Sequence, residues 1–259
     1  MTTHPPDPSP THQIDPIGPP AGQAAAACWK MIYLARRNPA LAAEDFAQAW
    51  REHSALGRQC RNVQDKVLGV TQCTRLREGG ENGGLLGASA DHDGVNLLQL
   101  RDLAVAGDIW DDPKTREIMR PDEPRVFSTY VRNFSLVCRE QVLRAAPPGE
   151  VALFGFVRRR AGISQSEFAA AWAGGPAAPW LAAPALQGAL RVVHNTVVQA
   201  PPAGYAYDGI AEWWFASAQA ARAAFAAGEL RGQLPAPWRA IGDLERSVFM
   251  FTHVTHRRP

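Results

Sequence analysis

The stretch that decides the fold is EDFAQAWREHSALG, residues 44–57, because the chain offers a second version of it, SEFAAAWAGGPAAP, at 166–179. Phe46 and Trp50 of the first match Phe168 and Trp172 of the second at an offset of 122. The same offset pairs Arg36 and Arg37 with Arg158 and Arg159, Leu41 with Ile163, and Thr74 with Thr196. Farther on, DGV at 93–95 answers DGI at 208–210 at an offset of 115. The offset shrinks across a Gly-rich connector, REGGENGGLLGASADH at 77–92, and an insertion of this kind belongs in a surface loop. The chain therefore reads as a tandem duplication: repeat 1 over 28–140, a linker over 141–150 containing AAPPG, and repeat 2 over 151–256.

Each repeat shows the same order of elements. WKMIYLAR (29–36) and VALFGFVR (151–158) are short apolar runs with aromatics, which predict strands. Helices are expected over 43–58 and 165–173, the second opened by an S-x-x-E capping box, Ser164 to Glu167, which Ala42 denies to the first. Strands follow at 66–75 and 188–198, then at 94–100 and 209–215. Helices near 110–120 and 217–228 come next, and strands at 126–138 and 246–256 close the repeats. This β-α-β-β-α-β order is the ferredoxin-like arrangement, with both helices on one face of a four-stranded sheet. The other face needs a cover. Two repeats in one chain can supply it to each other, so the predicted fold class is α+β: two tandem ferredoxin-like repeats closing into one intramolecular barrel.

Composition narrows the function classes. The net charge is only +2, and the densest basic run, RRR at 158–160, is too narrow for a nucleic-acid footprint. No apolar run reaches the length of a membrane helix. The four cysteines, Cys28, Cys60, Cys73 and Cys138, form no metal-ligand spacing and read as free thiols of a cytoplasmic protein. Residues 1–27 are Pro-rich and poor in large apolar side chains, which predicts a disordered tail.

The run YLARRNPALAAEDFAQAW with Arg51-Glu52-His53, the strand carrying Gln72 or His194-Asn195, and YDGIAEWWF together resemble the EthD family of the dimeric α+β barrel superfamily. The resemblance spans nearly everything after residue 28. It implies a barrel that family members usually build from two chains, here an internal pseudo-dimer, with a homodimer of the whole chain as an option. It also implies a link to small-molecule catabolism or biosynthesis. Related barrels include metal-free monooxygenases, lactone isomerases, dehydratases, decarboxylases and haem proteins, so the fold does not choose a reaction.

Candidate residues follow from where the repeats differ. Phe46, Trp50 and His53 fall at i, i+4 and i+7 on one helix face, so His53 points inward with the tryptophan. Near the helix C-terminus its cationic form is favoured, and imidazole suits acid–base work near neutrality. A core-edge histidine is the plainer alternative; the resemblance, which places a His here, favours function. Gly175 stands at the matching place in repeat 2. On its own strands repeat 2 offers His194, matched by Gln72, and Glu212, matched by Leu97. If those strands pair, His194 would meet Glu212 or Asp208, and a carboxylate beside an imidazole makes a general base. Asp208, like Asp93, is more simply a turn residue before glycine. Glu212 in an apolar strand must find a partner. Trp50, Arg51, Tyr130, Tyr207 and Trp214 are candidate substrate-binding residues.

The expected function is an enzyme working without a cofactor, by proton transfer on a small apolar carbonyl or phenolic compound: a lyase, dehydratase, decarboxylase or isomerase. A non-catalytic binding or accessory protein of an oxygenase system is the competing reading, and haem binding a weaker one. No spacing suggests a metal site.

Overall fold

The computed structural model describes residues 28–174 and 178–258. The expected tail and Gly175 lie outside the described residues.

The described residues form eight strands: β1 (Cys28–Ala35), β2 (Val67–Arg75), β3 (Gly94–Leu100), β4 (Ser135–Arg144), β5 (Val151–Arg159), β6 (Arg191–Val197), β7 (Gly209–Phe215) and β8 (Gly242–Arg258). They close into one antiparallel barrel in the order β1-β3-β2-β8-β5-β7-β6-β4. Within each half the spatial order is fourth, first, third, second. The seams between halves are β2 with β8 and β4 with β6. Closure leaves no sheet edge exposed, which removes the pairing hazard of an open sheet.

Helices cover the outside. In the first half these are α1 (Phe46–Leu56), α2 (Arg61–Lys66), α3 (Val105–Asp111) and α4 (Glu123–Val126), with a π-helical turn at Thr115–Met119. In the second they are α5 (Gln165–Ala173), α6 (Pro184–Gln187), α7 (Ala218–Ala224), α8 (Leu230–Gln233) and α9 (Ala236–Ile241). The capping box at Ser164 and Glu167 forms as the sequence predicts, while α1 starts at Asp45 without a side-chain cap.

Side-chain alternation along each strand divides the core into three. Ile32, Leu34, Val95, Leu136, Phe154, Ile210 and Met250 fill the barrel interior, with both halves contributing. Met31, Phe46, Trp50 and Leu100 lie between sheet and helices in the first half. Leu153, Trp172, Trp213, Phe225 and Trp238 do the same in the second.

One element departs from expectation. Residues 126–134 were expected to open β4, but the strand begins at Ser135 and runs to Arg144, into the expected linker. Val126, Phe127, Val131 and Phe134 instead pack under the helices of the first half. The far end of β4 pairs with β6, so residues expected to be linker close the barrel.

Candidate functional site in the cleft of the first half

The motif that occurs twice in the sequence forms a fastening in each half. In the first half, Asp93 Oδ2 accepts from the Arg37 backbone N–H at 3.0 Å, and Arg37 Nη1 donates to the Leu41 carbonyl at 2.7 Å. In the second, Asp208 Oδ2 accepts from the Arg159 N–H at 2.8 Å, and Arg159 Nη1 donates to Ile163 O at 3.0 Å. The glycine after each aspartate receives the motif tryptophan. A Cβ on Gly94 would lie 2.3 Å from the Trp50 ring, and one on Gly209 2.6 Å from Trp172. Asp208 is thus committed to holding its turn, and is set aside as a proton carrier.

The halves differ in what lies beside this fastening. Register places Tyr33 opposite Asn96 and Asn96 opposite Gln72, a polar row across β1, β3 and β2 that faces α1. It floors an enclosed cleft of about 60 Å³. Gln72 Oε1 and Asn96 Oδ1 are buried and have no hydrogen-bonding partner among the described residues. A buried acceptor left unpaired costs about 1–3 kcal/mol, so the row is built to meet something in the cleft. Val63, Ile109 and Val131 make apolar walls, and half-buried Ser54, Trp110, Met119 and Arg258 rim the mouth.

His53 borders this cleft from the last turns of α1, packed edge-on against Phe127 with ring centroids 5.5 Å apart. Its Nδ1 lies 3.0 Å from Asp122 Oδ2. Arg125 donates to the same carboxylate, at 2.7 Å to Oδ1 and 3.1 Å to Oδ2. Burial works against the Asp122 charge, but Arg125 and His53 outweigh it and hold the carboxyl below its usual range. Burial is also the largest influence on His53 and lowers its pKa; Asp122 pulls upward without cancelling it. The ring is therefore neutral at pH 7, which corrects the expectation of a cation at the helix end. With Nδ1–H donated to Asp122, Nε2 keeps its lone pair. Glu123, also lining the cleft, is pushed up to about 7 by burial, although the Val131 N–H donates to it at 2.8 Å. Burial and the Glu123 charge also raise the Tyr33 phenol. Tyr33, Asn96, Asp122 and Glu123 were missed in the sequence. Their signal was available for two of them: the offsets of 122 and 115 put Gly155 and Ala211 at the places of Tyr33 and Asn96.

In the second half the equivalent row is Gly155, Ala211 and His194, again by register. The small residues admit aromatic rings, and among the described residues no cavity remains there. His194 is sandwiched: it stacks on Trp172 at 4.1 Å, donates from Nδ1 to the Trp172 carbonyl at 2.8 Å, and touches Trp238 at 5.3 Å. Burial drives its pKa down to about 3. The Gly-rich connector of the first half helps seal this side. Arg222 donates to Gly83 O at 2.9 Å, Leu230 N–H to Leu86 O at 2.9 Å, and Leu85 joins the second half's core.

The expected meeting of His194 with Glu212 does not occur. Glu212 sits opposite Val193 on β6 and points into the barrel, while His194 points out to the helices. The partner of Glu212 is Lys30, whose Nζ donates to Oε1 at 2.6 Å and also pairs with Glu140. Asn195 Nδ2 and Trp214 Nε1 donate to Glu212 as well, at 2.8 and 3.1 Å. The five expected binding residues are scattered. Trp50 lines the cleft, and Arg51 donates to Thr255 O at 3.2 Å. Tyr207 lies under Arg158, 4.7 Å from ring centroid to guanidinium, Trp214 is inside the barrel, and Tyr130 is exposed beneath Arg120.

Among the described residues no helix is long and apolar enough to cross a membrane, and no cluster of His, Cys, Asp or Glu could hold a metal ion. The cleft at His53 measures about 60 Å³, and His194 is wedged between rings.

Solved structures share the fold. One is described as an anthrone oxidase-like protein: TM-score 0.54, 14% identity, over 90% of this chain and 92% of that one. A "putative monooxygenase" from Fusobacterium nucleatum gives 0.52 and 10%, over 91% and 95%. A chlorite dismutase variant from Candidatus Nitrospira defluvii gives 0.45 and 12%, over 88% and 92%. The chain shares its barrel fold with the first two of these structures. No family model matches the chain, and no curated protein does.

Proposed function

We propose that the first-half cleft is the active site of an acid–base enzyme acting on a small carbonyl or phenolic compound. The observation that carries this is one-sided. His53, oriented by Asp122, borders a cleft floored by Tyr33, Asn96 and Gln72, while among the described residues no comparable cavity remains at the matching row of the second half. A neutral imidazole at His53 and a Glu123 carboxyl raised to about 7 give a base and an acid poised near neutrality.

In this reading His53 Nε2 takes the proton from a phenol, or from carbon beside a carbonyl. The negative charge that develops on the substrate oxygen is met by donors of the polar row, the Tyr33 hydroxyl foremost. Glu123, protonated for part of the population at pH 7, returns a proton to carbon or to a leaving oxygen. Positioned proton transfer of this kind contributes roughly 10²–10⁴-fold in rate. The enclosed space holds the reacting end of the substrate, and its remainder lies toward the mouth. A neighbour described as anthrone oxidase-like supports a phenolic or enolisable compound. The matched strand orders, the paired fastenings and the constant offsets support a duplicated EthD-like unit, whose second copy became structural.

The test is consumption of a metabolite from cell extract, followed by mass spectrometry. The protein consumes one compound class, His53→Ala abolishes this, and His194→Phe retains it. Equal consumption by His53→Ala, or none by the unaltered protein, refutes the assignment.

A further inference from the structure

The barrel interior holds a second and larger space that the cleft chemistry does not use. It opens at the end where β1 starts and β8 finishes, and measures about 660 Å³. Small-molecule sites commonly run to about 300–1,000 Å³. The opposite end is stopped by Tyr205, Tyr207 and Phe156.

Charge decides what this space would hold. Its lining carries four cations, Lys30, Arg191, Arg257 and Arg258, against two carboxylates, Glu140 and Glu212. The carboxylates are already answered. Glu212 receives three donors, and Glu140 pairs with Lys30 and lies 4.0 Å from Arg191. Arg257 shares exposed Glu150 at 3.3 Å. Half-buried Arg258 has no carboxylate partner among the described residues, and the charge of Arg58 nearby opposes its own. Positive charge is thus in excess at the mouth, above apolar walls of Leu97, Trp214 and Pro148.

We infer that the barrel interior binds a small aromatic carboxylate, its anionic end at the arginine rim and its ring against Trp214 and Leu97. Arginine forks match a carboxylate bidentately, and the walls suit a flat apolar body. The barrel space meets the cleft only at its rim, where Val70 and Arg258 line both; Arg191 and Leu97 line the barrel space alone.

The test is calorimetric titration of the full chain with 1-naphthoate and with its neutral analogue 1-naphthalenemethanol, with tryptophan fluorescence recorded alongside. One naphthoate binds per chain, at least tenfold tighter than the alcohol. Arg191→Gln weakens naphthoate at least tenfold, Leu97→Trp weakens it by crowding the wall its ring lies against, and His53→Ala leaves it unchanged. Leu97→Trp is checked for folding by circular dichroism, and Arg191→Gln carries the test if it misfolds. No naphthoate binding at 1 mM (an experimental ceiling of about 4 kcal/mol), equal affinity for acid and alcohol, indifference to Arg191→Gln, or loss in His53→Ala each overturns the inference. Loss of metabolite consumption in His53→Ala with naphthoate binding intact separates this site from the proposed catalytic one.

Discussion

Replacing His194 with Phe separates a structural histidine from a catalytic one. His194 is fully enclosed by Trp172, Trp238 and the sheet, and its pKa falls to about 3. An unfolded histidine titrates near 6.5. Between those values the unfolded chain holds a proton the folded chain refuses, so stability falls as the pH drops below about 6.5 and levels off only below about 3. Each pH unit in that window costs about 1.4 kcal/mol, which amounts to roughly 3 kcal/mol between pH 7 and pH 4. Phe keeps a ring between the tryptophans and does not titrate, but it leaves the Trp172 carbonyl without its donor, a penalty of about 1–3 kcal/mol at any pH. Urea unfolding of both proteins at pH 7, 6, 5 and 4 gives the difference in stability, in which the other carboxylates and histidines cancel. The variant is the less stable protein at pH 7 and gains on the unaltered protein by roughly 3 kcal/mol by pH 4. A difference that stays constant with pH would refute the argument, because it would mean His194 is hydrated or free to protonate in the fold.

Other outcomes follow from the same geometry. Asp122→Asn frees the His53 tautomer and lowers kcat/KM by about 10²–10⁴-fold with little change in fold, read by steady-state kinetics on the consumed metabolite. Activity falls on the acid side as His53 protonates below its usual 6.5, and on the alkaline side as Glu123 ionises above about 7, so a pH profile is narrow and bell-shaped. Gly94→Ala and Gly209→Ala drive a methyl into Trp50 and Trp172, costing about 1–3 kcal/mol or more each by thermal unfolding. Ser164→Ala removes the cap of α5 and costs about 1 kcal/mol by urea unfolding.

Much of this was legible in the sequence because it is local. Aromatic-rich runs marked β1 and β5, the Phe-x-x-x-Trp spacing marked the inner face of α1, and the S-x-x-E box marked the start of α5. The constant offset exposed the asymmetry at His53. What failed was relational. Alternation groups Glu212 with Trp214 and His194 with Val192, but strand phase is set by pairing across the barrel, and the two sets face opposite ways. The partners of Lys30 lie 182 residues away in Glu212 and on β4 in Glu140, beyond the reach of any local pattern. Residues 126–134 carry strand-like aromatics, yet their apolar side chains are used under the helices. The polar row needed register too, since Tyr33, Asn96 and Gln72 come from three strands.

The central claim is that proton chemistry belongs to His53 in the first half. Nitrogen-15 spectra of the imidazole rings, recorded at pH 7 with and without the consumed metabolite, test it most directly. The account predicts a neutral His53 protonated on Nδ1, whose Nε2 resonance moves on binding while His194 stays still. A charged or unresponsive His53, or a shift at His194 instead, would contradict it.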